Sequence, residues 1–161
     1  MNLSGSRRLF LMVLHFMPSK PKPLILMADD NEEFFFVINE TLSRHRIRCQ
    51  LQHVQDGQEM MDYLKGLEDA KNPIPSLLLM DLAMPKIRGY ELLDWMRSLP
   101  ASGKLSKVSK LPVIVITGAD DADTRENALH FGANALMVKH NLVRDPSEFI
   151  AEVKKHLPSE E

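Results

Sequence analysis

The sequence predicts one α/β domain built on a five-stranded, doubly wound parallel sheet with helices on both faces. Two observations carry this. Short continuous apolar runs, each the length of a buried strand, recur between Leu24 and Val138. Stretches with apolar residues at helical spacing separate them.

Leu24 to Ala28 is the first run, and it stops at Asp29 and Asp30. The helix that follows, about Asn31 to Arg44, places Phe34, Val37, Ile38 and Thr41 on one face, with Phe36 roughly opposite. Cys49, Leu51 and Val54 mark a second, weaker strand. Asp56-Gly57 then opens a helix carrying Met60, Met61, Leu64 and Leu67. A Pro-rich loop, Asn72 to Pro75, leads into the third strand, Leu77 to Met80, which ends at Asp81. Gly89 to Leu99 reads as a helix with Leu92, Leu93 and Met96 inward. Pro100 to Pro112, rich in Ser, Lys and Gly, reads as an exposed connection. Val113 to Ile116 is the fourth strand and ends at Thr117; the next helix runs from about Ala122 to Phe131 and stops at Gly132. Ala135 to Val138 is the fifth strand, ending at Lys139, and Pro146 begins a last helix to about His156. Five strands alternating with five helices leave an open parallel sheet as the consistent arrangement.

Composition narrows the function. A chain of 161 residues closes one hydrophobic core, and 44% apolar with 26% charged residues reads as soluble and globular. Twenty Lys and Arg nearly balance 22 Asp and Glu, so no strong overall field gathers nucleic acid or an anionic membrane, and no Lys/Arg run marks a local patch. The single cysteine, Cys49, excludes an internal disulfide framework and a Cys-based zinc site, in keeping with a cytoplasmic location. The six histidines are scattered and read as ordinary surface residues. Residues 1–22 read as a leader or a mis-assigned N-terminal extension outside the fold, and 23–161 as a single domain. Ser6 to Leu11 resembles a twin-arginine export signal, but the apolar run Leu9 to Met17 is too short to span a membrane and no small-residue cleavage site follows.

In an open parallel sheet, ligands bind beyond the carboxyl ends of the strands. Asp29, Asp30, Asp81, Thr117 and Lys139 are all expected there. Singly, each has an ordinary explanation: acidic residues favoured at a helix N-terminus, a capping threonine, a solvated lysine. Their convergence on one edge is what favours chemistry. Crowded carboxylates repel one another, and a hard cation such as Mg²⁺, with oxygen ligands, relieves the repulsion. With the metal and the Lys139 ammonium present, the same pocket suits a transferring phosphoryl group, for which a carboxylate can act as nucleophile.

The motifs resemble the receiver domain of two-component response regulators, the CheY-like family with its flavodoxin/CheY-like fold. Leu24 to Asp30 resembles the first strand and acidic pair, and Val54 to Glu59 the Asp-Gly entry to the second helix. Leu77 to Pro85 with Gly89 is similar to the phosphoacceptor strand and its loop, and Val113 to Thr117 and Gly132-Ala133 to Lys139 complete the set. The resemblance implies that Asp81 accepts the phosphoryl group. It implies that Asp30, Asp81 and the Ala83 carbonyl ligate Mg²⁺, with Asp29 holding the metal through water. Thr117 would bind a phosphoryl oxygen and Lys139 pair with the phosphorylated site. A sensor histidine kinase or phosphotransfer protein would be the donor and a second protein the downstream target; a homodimer is left open, and neither nucleic acid nor membrane is expected. The long connection before the third strand is similar to that of stand-alone regulators serving phytochrome-type kinases.

Three departures from the family pattern involve four positions. His140 replaces the proline after the lysine, so Lys139-His140 is expected to be trans with a rearranged loop. Leu136 stands at the aromatic switch position. Ala83 and Ala119 offer no polar side chain to activate water, which implies slow loss of the phosphoryl group. These departures support one rival, a phosphorylation-independent adaptor with a receiver fold. A phosphatase of the haloacid dehalogenase type needs a second acid where Ala83 stands, and an FMN carrier needs a Ser/Thr/Gly-rich phosphate loop where Asp29-Asp30 stand.

Overall fold

The structure is a computed structural model, and it describes residues 20–159. Most of the segment read as a leader therefore lies outside the described residues. Five strands, β1 (Leu24–Ala28), β2 (Gln50–Val54), β3 (Leu77–Met80), β4 (Val113–Thr117) and β5 (Ala135–Val138), form one parallel sheet in the order β2-β1-β3-β4-β5. The helices are α1 (Glu32–Arg44), α2 (Gly57–Gly66), α3 (Gly89–Ser98), α4 (Ala122–His130), α5 (Lys139–Arg144) and α6 (Ser147–His156). The expected α/β sheet is the one observed.

Strand side chains alternate between the two faces, as a pleated strand requires. Leu24, Leu26 and Ala28 of β1, with Leu78 and Met80 of β3, face α2, α3 and α4 through Met60, Leu64, Leu92, Met96 and Ala128. Ile25, Met27, Leu77 and Leu79 face α1, α5 and α6 through Phe34, Ile38, Leu42, Leu142 and Phe149. The buried stripe of α1 is Phe34, Ile38 and Leu42, at spacings of four; Val37 and Thr41 are only half-buried, and Phe36 is 59% exposed.

Two expectations need correction. The connection from 100 to 112 is not wholly exposed: Val108 and Leu111 are buried beside a short 3-10 turn, Val108–Lys110. Arg97 of α3 is the reason, because its guanidinium donates to the carbonyls of Ser109 and Gly132 and binds this segment to the β4–β5 side. Gly132 itself ends α4 at φ +97°, and a side chain there would run into Arg97. The second correction is a sixth helix. α5 begins at Lys139 directly after β5, because 139–144 contains no Pro or Gly and Leu142 anchors the turn in the core. The Lys139-His140 bond is trans, as expected, with no cis bond among the described residues.

Asp56 caps α2 by accepting from the Glu59 amide at 2.8 Å, and its other oxygen meets the Lys86 ammonium at 2.6 Å. The Lys86 ammonium and the helix amide hold the Asp56 carboxyl below the ordinary 3.8. A depressed carboxyl contributes its stability above the unfolded-state value and loses it as pH falls further. Asp56→Ala is expected to cost about 1–2 kcal/mol at neutral pH through the lost cap. Asp56→Asn keeps the cap, loses an ion pair whose lysine is exposed, and should cost about 0.5 kcal/mol or less. The difference between Asp56→Ala and wild type should shrink below pH 3.8. Urea unfolding of both variants checks this; equal losses for Asn and Ala would refute the capping account.

Candidate functional site

Each site residue is delivered by a strand end. β1 carries Asp29 out of the sheet and β3 carries Asp81 beside it, with the Asp81 amide bonded to the Ala28 carbonyl at 3.0 Å. Asp29 is 1% exposed and Asp81 6%, whereas Asp30 is exposed. Carboxylate oxygens of all three come within 4.8 Å of one another.

Lys139 reaches this cluster from the first residue of α5. Its ammonium lies 2.7 Å from Asp29 Oδ2 and 3.0 Å from Asp81 Oδ2, and 4.7 Å from the centre of the Phe34 ring. A cation at a helix N-terminus has the wrong sign for the helix dipole; the two carboxylates compensate. Burial works against the Lys139 charge, but Asp29 and Asp81 together outweigh it and hold the pKa above the ordinary 10.5. The outcome for Asp29 is the reverse. Burial pushes its carboxyl above 3.8, and the Lys139 ammonium and the Asn31 amide offset this only in part. The shared ammonium thus compensates the buried Asp29 carboxyl only in part.

Asp29 Oδ2 makes the same point. Its contact with Lys139 is an ion pair by distance without hydrogen-bond geometry, and it is the one buried side-chain N or O atom among the described residues with no hydrogen bond. A buried oxygen whose one partner is an ammonium shared with Asp81, in a cluster of three carboxylates, fits a hard divalent cation, which takes oxygen ligands and favours carboxylates.

Thr117 ends β4 and is buried, its hydroxyl oxygen accepting from the Ala119 amide at 3.2 Å. It opens on a cavity of about 460 Å³ shared with Leu82, Ala83, Arg88 and Tyr90. Ala83 is exposed, and its amide donates to Asp81 Oδ1 at 3.2 Å. The two walls of this cavity differ. The β3–α3 wall is tied down by the Lys86–Asp56 pair and by Gly57, where a side chain would strike the Ile87 carbonyl. On the β4–α4 wall, residues 118–121 are exposed and nothing approaches Gly118 where a Cβ would sit. Leu136, by contrast, is fully part of the core.

All five residues singled out at the strand ends, Asp29, Asp30, Asp81, Thr117 and Lys139, therefore lie at one edge. Two neighbours escaped sequence reasoning. Lys86 pairs with Asp56 across 30 residues. His53 is a half-buried residue and not a surface one, its Nε2 lying 2.7 Å from the Asp29 carbonyl. A different cluster escaped it as well: Lys20, Lys22 and Arg48 line a cavity of about 620 Å³ at the amino ends of the strands, away from the carboxylates.

The match to known proteins covers most of the chain. A model of the response regulator receiver domain fits residues 25–154. The response regulator Rcp1 of Synechocystis sp. is 27% identical over 128 residues, which span 79% of this chain and 83% of that protein. The Mn²⁺-bound crystal structure of Rcp1 superposes with a TM-score of 0.69 at 25% identity, covering 86% of this chain and 100% of that one. The phosphorylated cyanobacterial phytochrome response regulator RcpA gives the same TM-score and identity, covering 86% and 99%. With its parallel sheet, its strand-end carboxylates and these matches, the chain belongs to the response regulator receiver domain family and resembles regulators associated with phytochromes.

Proposed function

We propose that this receiver domain takes a phosphoryl group from a histidine kinase or phosphotransfer protein onto Asp81, in a reaction that requires Mg²⁺, and passes the signal to a protein partner. The observation that carries the reading is the convergence of Lys139 on Asp81 and Asp29, within a cluster whose buried Asp29 oxygen lacks a hydrogen bond. Asp30, Asp81 and the Ala83 carbonyl are the direct ligands in this reading, with Asp29 acting through water. When bound, the cation supplies charge neutralisation for the transferring group.

The chain's own residues supply the rest. Asp81 is held for attack by the Ala83 amide on one oxygen and Lys139 on the other. Lys139 stays protonated and remains to pair with a phosphoryl oxygen. The Thr117 hydroxyl, whose oxygen already accepts from Ala119, has its proton left to donate. Ala83 and Ala119 place no base beside the site, so the phosphoryl group is lost slowly. The adaptor reading drew part of its support from the missing proline after Lys139. That support weakens, because a helix start at Lys139 still directs its ammonium to Asp81.

We read the protein as cytoplasmic on its single cysteine, Cys49; separately, no helix among the described residues is long and apolar enough to cross a membrane. The test is incubation of the full chain with acetyl phosphate, followed by intact mass. One phosphoryl adduct is expected with Mg²⁺ and none with excess chelator. An unmodified mass in both conditions would leave the adaptor reading standing.

A further inference from the structure

We propose that His53 is a positioning residue for the cation site, its Nε2–H fixing the peptide that joins Asp29 to Asp30; this rests on reading the acidic cluster as a divalent-cation site. β2 is the edge strand beside β1, and the register pairs Met27 with His53 and Ala28 with Val54. The main-chain contact continues one residue further, where the Asp29 amide donates to the Val54 carbonyl at 3.2 Å. The ladder ends there. No main-chain amide among the described residues donates to the Asp29 carbonyl. The His53 side chain takes over at 2.7 Å, and since a carbonyl only accepts, Nε2 carries the hydrogen. Asp29 is thus held from β2 by both its amide and its carbonyl.

The imidazole is itself fixed. Phe35 stacks on it with ring centres 4.6 Å apart and planes 16° from parallel, and Phe36 meets Phe35 edge-on at 5.6 Å. A clamped donor aimed at a main-chain oxygen sets the rotation of that peptide plane. The rotation matters because the two neighbouring carboxylates part company here, Asp29 turning into the core and Asp30 remaining exposed. Both must nevertheless converge with Asp81. Mg²⁺ and Mn²⁺ favour oxygen ligands and near-octahedral geometry. Groups that orient metal ligands without touching the metal commonly change affinity by about 10–100-fold.

His53→Phe keeps an aromatic ring against Phe35 and removes the donor, whereas His53→Gln restores an N–H of similar reach. Mn²⁺ binding to the metal-free full chain, followed by the loss of the free-ion electron paramagnetic resonance signal, should weaken about tenfold in His53→Phe and recover in His53→Gln. Independently, ¹⁵N–¹H correlation on the wild-type imidazole should show a hydrogen on Nε2. Equal Mn²⁺ affinity of wild type and His53→Phe, or an Nε2 without hydrogen, would overturn this inference alone. Failure of the wild type to bind Mn²⁺ would overturn it together with the cation-site reading beneath it.

Discussion

Asp81→Asn is expected to take up no phosphoryl group from acetyl phosphate and yet to unfold at a higher temperature than wild type in metal-free buffer. The loss of uptake follows from the nucleophile: an amide has no charged oxygen with which to attack phosphorus, and labelling should fall by at least about 10³-fold. The gain in stability follows from the charge imbalance. Burial is the main cause that holds the Asp29 carboxyl above its ordinary value, and the neighbouring Asp81 charge adds to it. Asn keeps an oxygen for the Ala83 amide at nearly unchanged volume and leaves Lys139 with Asp29 alone. A gain of about 0.5–1 kcal/mol is in the range seen when a functional site's internal repulsion is relieved. Intact mass and a thermal melt with chelator measure the two halves. Labelling equal to wild type would remove Asp81 from the role proposed here.

Lys139→Met should do the opposite to stability. The ammonium is the described cation within ion-pair distance of both Asp29 and Asp81, at 2.7 and 3.0 Å. Removing one partner from a buried charge cluster costs roughly 3–5 kcal/mol. With the Lys139 side chain still 21% exposed, about 2–3 kcal/mol is the discounted expectation. Millimolar Mg²⁺ should recover much of it, because a cation that binds only the folded state stabilises by mass action. Urea unfolding of Lys139→Met with and without Mg²⁺ gives both numbers. A loss under 0.5 kcal/mol with no added Mg²⁺ dependence would contradict the electrostatic account of the site.

The sheet was legible because its strands are buried on both faces, so that Leu24–Ala28, Leu77–Met80 and Val113 to Ile116 stand out as unbroken apolar runs. The residues that follow those runs could be read as one cluster because parallel strands share a carboxyl edge. What escaped notice depends on contacts between residues far apart in the chain. His53 meets Asp29 across 24 residues, Lys86 meets Asp56 across 30, and Arg97 meets Gly132 across 35. None of these pairs has a local pattern. Arg97 also explains the misreading of 100–112: a polar composition suggested solvent, while a guanidinium from another element supplied the missing hydrogen bonds and let Val108 sink into the core. The helix at Lys139–Arg144 was missed for a different reason. At six residues it is too short for a periodic signal, and one buried side chain, Leu142, holds it.

The unequal walls of the Thr117 cavity give the domain a mechanical polarity. One jaw is fixed: Lys86, Asp56 and the tight seat at Gly57 join the loop after Asp81 to the start of α2. The other jaw, 118–121, is exposed, with open space at Gly118, and leads straight into α4, whose first turns are largely exposed. A load applied between them, such as a new anionic group drawing in the Thr117 hydroxyl, would deflect the compliant side and leave the stiff one in place. Displacement would therefore be delivered to the α4 face, with the α2 side as the anvil against which it is produced.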